Sequence, residues 1–242
     1  MSTSPTFLRD RQQARLFSML LLASACCGLL VAARMAWNWH VLPAAQTWPA
    51  FVAARGATYL FLLWNLLLAW IPYLAALWVS QWQRRGNGWL PLVPGLLVWL
   101  AFLPNAPYIV TDFVHFRAKP PVPLWFDLVM LFATASTGLL LGLLSLREIH
   151  VTLRHWFSRP SAWLLILLSI GLAGFGVWLG RFQRWNSWDL LARPQALLHD
   201  IVSTLSERHE LLHAVGISAL LSGILLVGYG ILSALLEQPS KT

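Results

Sequence analysis

Asp112 and His115 stand three residues apart in Phe-Leu-Pro-Asn-Ala-Pro-Tyr-Ile-Val-Thr-Asp-Phe-Val-His-Phe, residues 102–116, where a long apolar run ends around two prolines. In a helical segment this spacing puts a carboxylate and an imidazole on one face. Such a pair can ligate a metal or relay a proton. It equally suits a buried hydrogen-bonded pair that holds the segment, because two ligands do not make a metal site. Asn105 and Tyr108 lie in the same stretch and join the candidate set. A second polar stretch, Arg181-Phe-Gln-Arg-Trp-Asn-Ser-Trp-Asp189, follows another apolar run. Arg181 and Arg184, with Asn186 and Asp189, could grip a phosphate or carboxylate, since the guanidinium fork matches such oxyanions. The competing reading is internal: Asp112, Asp127 and Asp189 supply acids for a charge network that ties the two connectors together. Asp127, at the start of an apolar run, also suits a helix N-terminus.

A third pattern is a full motif match. His209-Glu-Leu-Leu-His213 fits H-E-x-x-H, which on a helix aligns two imidazoles for zinc and offers Glu210 as general base. Catalytic zinc needs a third protein ligand. The candidates lie upstream, at Asp112, His115, Asp189, His199 and Asp200. The competing reading is a chance match at the start of the last apolar run. No cofactor is expected, and zinc is the metal the motif raises. The chain has no Walker A loop, G-x-G-x-x-G fingerprint or G-x-S-x-G elbow.

The elements that must position these residues follow from composition. Hydrophobic residues make up 58% of the chain and charged residues 11%, against about 25% charged in soluble domains. The apolar residues come in runs, which reads as an all-α, polytopic membrane helical bundle. Six spans are expected, near 16–36, 57–80, 89–104, 124–146, 161–180 and 211–236, as a single transmembrane domain over 16–236. Residues 1–15 form a cytoplasmic N-terminal segment and 237–242 a tail. The run from Leu16 to Ala33 is long for a cleaved leader, so a retained first helix is expected. The third span is short and bracketed by Pro91, Pro94 and Pro104, which predicts a kink or partial re-entry. Asn65, inside the second span, must hydrogen-bond to another helix or to water.

Many of the 15 tryptophans, among them Trp37, Trp39, Trp82, Trp89, Trp125, Trp163, Trp185 and Trp188, flank apolar runs, as in a headgroup-level aromatic belt. Trp64, Trp70 and Trp99 lie deeper, where packing between helices is expected. Cys26 and Cys27 offer no disulfide framework and read as small packing residues. Gly138-x-x-x-Gly142 and Gly176-x-x-x-Gly180 predict close helix packing. Residues 194–208 predict an amphipathic surface helix with a stripe of Leu197, Ile201 and Leu205.

The net charge of +8 is scattered through connectors, where it meets anionic lipid headgroups. No connector carries the basic run of a nucleic-acid surface. His150 and His155 are placed in such a basic connector. Lysine and arginine divide nine to eight between the two sides, with the nine in the shorter connectors. This places both termini in the cytoplasm, and both polar stretches together on the extracytoplasmic side.

Phe102–His115 together with Gly174–Asp189, and more weakly Trp64-Asn65 through Ile71-Pro72, resemble the bacterial membrane family called domain of unknown function 1361. The resemblance covers roughly residues 55–230. It implies a bacterial multi-span protein and lends no activity, substrate or catalytic residue. It does imply that Asn105, Asp112, His115, Arg181, Arg184, Asn186 and Asp189 matter. The H-E-x-x-H element lies outside that pattern. The expectation is a bacterial multi-pass protein of the cell membrane that binds or transports a small anionic or lipid-like ligand at an extracytoplasmic polar cluster. Its other partners are the bilayer and anionic lipids, and not nucleic acid. A metal-dependent membrane hydrolase and a structural scaffold are the alternatives.

Overall fold

A computed structural model of the chain describes residues 5–41, 58–86, 88, 90 and 92–236. Trp89, Pro91, Arg55 and the tail 237–242 lie outside the described residues. The described elements are helical: α1 Pro5–Val41, α2 Leu60–Arg84, α3 Leu92–Phe102, α4 Asn105–Tyr108, a 3-10 helix Ile109–His115, α5 Leu124–Leu153, α6 Arg159–Phe182, α7 Asp189–Ala192, α8 Pro194–Ser206 and α9 Arg208–Leu236. Among the described residues there is no strand, only an isolated bridge between Lys119 and Val122. Among the described residues, six segments are long and apolar enough to cross a membrane: Arg11–Trp39, Leu60–Arg84, Leu92–His115, Leu124–Leu153, Arg159–Phe182 and Arg208–Leu236. The protein is an all-α, multi-pass membrane protein.

Several boundaries differ from the sequence reading for local reasons. Helix α1 begins at Pro5, ahead of the apolar run, because Arg, Gln and Ala between them are good helix formers. Helix α5 runs to Leu153 rather than stopping near 146. Leu146, Ile149 and Leu153 form a buried stripe that carries the helix onward. His150 is therefore a buried residue of α5 and not part of a connector. At the start of α6, the Ser158 side chain accepts from the Ser161 backbone N–H and proline occupies the first turn.

The chain divides into two compact units, Met1–Leu66 with Asp112–Thr137, and Leu67–Thr111 with Gly138–Thr242. The first has a core of Val31, Tyr59, Leu62, Met130 and Leu131, flanked by Phe113 and Phe116. Cys27 is buried there, 3.6 Å from the Thr137 hydroxyl. Trp64, expected between helices, is exposed instead. The second unit has a larger core, in which Ala76, Leu92, Trp99, Ile149, Ile166, Leu225 and Tyr229 meet. Trp99 is buried as expected and donates to the Ser145 hydroxyl at 3.2 Å.

In the second unit the proline-rich turn fills a slot lined by glycines. Pro104 cannot extend the α3 ladder, so α3 stops at Phe102. Pro107 falls in the first turn of α4, where a missing N–H leaves no bond unmade. The compact turn then reaches two GxxxG faces. A methyl group added at Gly142 would lie 2.7 Å from Ala106 Cβ, and one at Gly138 would lie 2.6 Å from Ile109 Cδ1. On α6, a methyl at Gly176 would lie 2.5 Å from Pro104 Cγ, and one at Gly180 would lie 3.3 Å from the Tyr108 ring. Both motifs thus receive one segment of their own chain.

Gly142→Ala is expected to lower unfolding stability by about 1–3 kcal/mol through overpacking. Gly216→Ala, which meets nothing within 4 Å, should change it by no more than about 0.5 kcal/mol. Thermal unfolding in detergent, followed by tryptophan fluorescence, measures both; equal melting would contradict the tight slot.

Candidate functional site

In the first unit, Arg34 and Asp127 form an ion pair with almost no solvent exposure. Arg34 Nε donates to Asp127 Oδ1 at 2.6 Å and Nη2 donates to Oδ2 at 3.1 Å. The bidentate fork is the strong form of this pairing. Burial in an apolar surround makes either charge costly alone. Because α1 continues to Val41, Arg34 lies inside the helix and not in a connector. Asp127 finds its partner in Arg34 and not in the second polar stretch. The Arg34 guanidinium carbon lies 4.5 Å from the Tyr59 ring centre, and Lys119 Nζ lies 4.1 Å from the same centre. Burial, with the Asp127 carboxylate nearby, pushes the Tyr59 phenol up to about 12. The phenol therefore stays protonated and donates to the His115 carbonyl at 3.2 Å.

Asp112 is buried in the same unit and accepts from Asn65 Nδ2 at 2.7 Å. The expected partner for Asn65 on another element is thus Asp112. The segment Ile109–His115 is a 3-10 helix, in which residues three apart nearly eclipse. His115 is exposed, with its ring edge-on to Phe61 at 5.0 Å.

The second unit holds the other candidates. Asn105 Nδ2 donates to the Phe102 carbonyl at 3.0 Å and to the Ser187 hydroxyl at 2.9 Å. One amide thereby caps the end of α3 and tethers the connector after α6. Arg181 Nε donates to the Thr111 hydroxyl at 2.7 Å, and its guanidinium lies 4.3 Å from the centre of the Tyr108 ring. Asp189 is buried. It accepts from the Asn186 backbone N–H at 2.9 Å and from Arg193 Nη2 at 2.8 Å. The Asn186 N–H and then Arg193 hold its carboxyl below the ordinary carboxylate range. Trp185 Nε1 donates to Asp200 at 3.0 Å.

Arg184 differs from these residues. It sits just past the end of α6 with a φ of 61°, in the left-handed region, at a place where glycine is the usual occupant. A side chain there costs roughly 1–2 kcal/mol. Its side chain is exposed and has no hydrogen-bond or ion-pair partner among the described residues.

The H-E-x-x-H residues open α9. His209 is exposed, 4.0 Å from Glu210. His213 Nδ1 accepts from the buried Trp178 indole N–H at 3.2 Å, with Phe182 edge-on to its ring. Because the indole can only donate, Nδ1 is the acceptor and the neutral ring carries its proton on Nε2. Among the described residues no group of three or more His, Cys, Asp or Glu converges.

In the second unit Glu148 escaped the sequence reading, and His150 has buried partners that its expected place in a connector did not suggest. Glu148 is buried. It accepts from the Ser80 hydroxyl at 3.1 Å and lies 4.0 Å from Arg84 and 3.8 Å from Arg147. His150 Nδ1 lies 2.5 Å from the Tyr229 hydroxyl, with Trp163 edge-on at 4.6 Å. The available signal was Tyr229, a phenol inside an otherwise apolar run, which needs a buried partner.

A family model matches residues 64–224, well over half of the chain. The chain belongs to the family described as Protein of unknown function (DUF1361). The DUF1361 match takes in all the candidates from Asn105 to Asp189, and also His209–His213, but leaves out Arg34, Tyr59 and Tyr229. No curated protein and no solved structure gives a significant match.

Arg34→Ala or Asp127→Ala should each destabilise the protein by about 3–5 kcal/mol, since the remaining partner is left buried and unpaired. The combined change Arg34→Met with Asp127→Leu should recover most of that loss. Melting of the three variants in one detergent measures this, and additive losses would refute a mutual pair. Asp189, with its lowered pKa, stabilises the fold fully above the ordinary value of 3.8. That contribution disappears as pH falls through the lowered value. Asp189→Asn should therefore melt below the parent at neutral pH, with the gap closing on acidification. A gap independent of pH would contradict the linkage.

Proposed function

We propose that this is a multi-pass protein of the cell membrane that binds an anionic, lipid-like ligand at the extracytoplasmic ends of its helices, with Arg184 meeting the anion. The observation that carries this reading is the strained, exposed position of Arg184. The chain keeps an arginine where its backbone would favour glycine. Around it, Asn105, Arg181 and Asp189 are engaged by Ser187, Thr111 and Arg193. The Arg184 fork has five N–H donors and the geometry to meet two phosphate oxygens at once. Exposed Phe182 and Trp188 flank it, and an aromatic side chain at this place suits the headgroup layer. The denser lysine and arginine content of the short connectors supports cytoplasmic termini, which puts Arg184 on the opposite side.

Arg184→Gly separates a ligand role from a capping role. Glycine relieves the left-handed strain, so this variant should melt at or above the parent temperature. If Arg184 meets the anion, it should also lose about tenfold in affinity for phosphatidylglycerol, the size of one charge-assisted contact. Native mass spectrometry from detergent, titrating phosphatidylglycerol against phosphatidylcholine, gives that ratio. Unchanged preference for phosphatidylglycerol in the glycine variant would overturn the proposal.

A further inference from the structure

Helix α8, Pro194–Ser206, presents three different surfaces. Leu197 and Thr204 are buried within the second unit. Leu198, Val202 and Leu205 are exposed, at 61%, 53% and 57%. Their spacing of four and three residues puts them in one stripe along the helix. Gln195, His199, Ser203 and Ser206 are exposed and polar. With 3.6 residues per turn, the apolar stripe lies roughly 100° round the helix from the buried line, and the polar face roughly 100° further on. The stripe expected from sequence, Leu197, Ile201 and Leu205, is therefore divided: Leu197 faces the protein and Leu205 faces outward.

We propose that α8 lies in the headgroup–acyl boundary of the bilayer, with Leu198, Val202 and Leu205 turned to the acyl chains and the polar face turned to water. A helix with protein on one side, apolar surface on the next and polar groups on the third fits that boundary. One residue, Glu207, separates α8 from α9, the apolar segment Arg208–Leu236. The stripe thus ends, at Leu205, within a turn of the point where a crossing helix begins. Leu212 and Val215, in the first turns of α9, are exposed and apolar as well. Charge within residues 193–208 is balanced, with two arginines, Arg193 and Arg208, and two acids, Asp200 and Glu207. The seat therefore depends on apolar burial and not on anionic lipid, and it stands whether or not Arg184 takes an anion.

The test uses the full chain in phosphatidylcholine nanodiscs, with Cys26→Ala and Cys27→Ala as background. A fluorophore is attached through Leu198→Cys, Val202→Cys, His199→Cys or Ser203→Cys, one at a time. Labels at 198 and 202 should lose half or more of their signal to brominated acyl chains and resist iodide, while labels at 199 and 203 should do the reverse. Iodide quenching at all four positions, or protection of 198 and 202 from both quenchers by a second copy or another protein, would overturn the proposal. Photolabelling of the unsubstituted protein by a carbene-bearing phosphatidylcholine repeats the test without mutation. Label on Leu198, Val202 or Leu205 supports the seat, and an unlabelled α8 peptide refutes it.

Discussion

The second unit depends on how closely the turn Pro104–Ile109 approaches four glycines on α5 and α6. Close packing in lipid gains little from the hydrophobic effect, because acyl chains are as apolar as leucine. What remains is van der Waals contact, and contact needs backbones that come near. Gly138, Gly142, Gly176 and Gly180 permit this by presenting no side chain toward Ala106, Ile109, Pro104 and Tyr108. The polar geometry follows from that seat. With the turn lodged there, Asn105 reaches Ser187, while Thr111 and Tyr108 present an oxygen and a ring face to Arg181. The polar groups of the turn are arranged by an apolar fit.

The first unit solves a different problem. Its buried charges must be satisfied by partners from distant parts of the chain, and the Arg34–Asp127 fork does this with Tyr59 packed against the guanidinium. Such a pair adds little net stability over an apolar replacement, yet its loss on one side is severe. It also joins a helix inside the DUF1361 match to one outside it. The paired geometry fixes which faces of α1 and α5 meet within the unit.

Much of the architecture was legible in the sequence, because apolar runs of membrane length have few other readings. Asn65 was legible as a residue in need of a partner, since an amide in an apolar helix must find one. Arg34 was not, because a charge at the end of an apolar run looks like a connector residue until the helix is seen to continue to Val41. His150 was misplaced for the same reason: the α5 stripe continues through Leu146, Ile149 and Leu153 while the local composition turns polar. In α8 the expected stripe is divided, with Leu197 buried and Leu205 exposed. Periodicity finds an apolar stripe but does not say whether protein or solvent lies against it. Arg184 was legible as a candidate beside Arg181, but nothing in the sequence told the two apart, since a backbone conformation has no compositional mark.

The Arg34–Asp127 pair also bears on the order of synthesis. The partners are 93 residues apart, so at about 5–20 residues per second Arg34 emerges several seconds to some twenty seconds before Asp127. During that interval α1 enters the bilayer with an unneutralised guanidinium, which in a helix centre costs about 2.5–3.5 kcal/mol. Its place near the end of the apolar segment Arg11–Trp39 lets the side chain stretch toward the headgroups while it waits. Only once Asp127 has been made can the fork form, so the buried charge of α1 stays without its carboxylate until the chain has grown past residue 127.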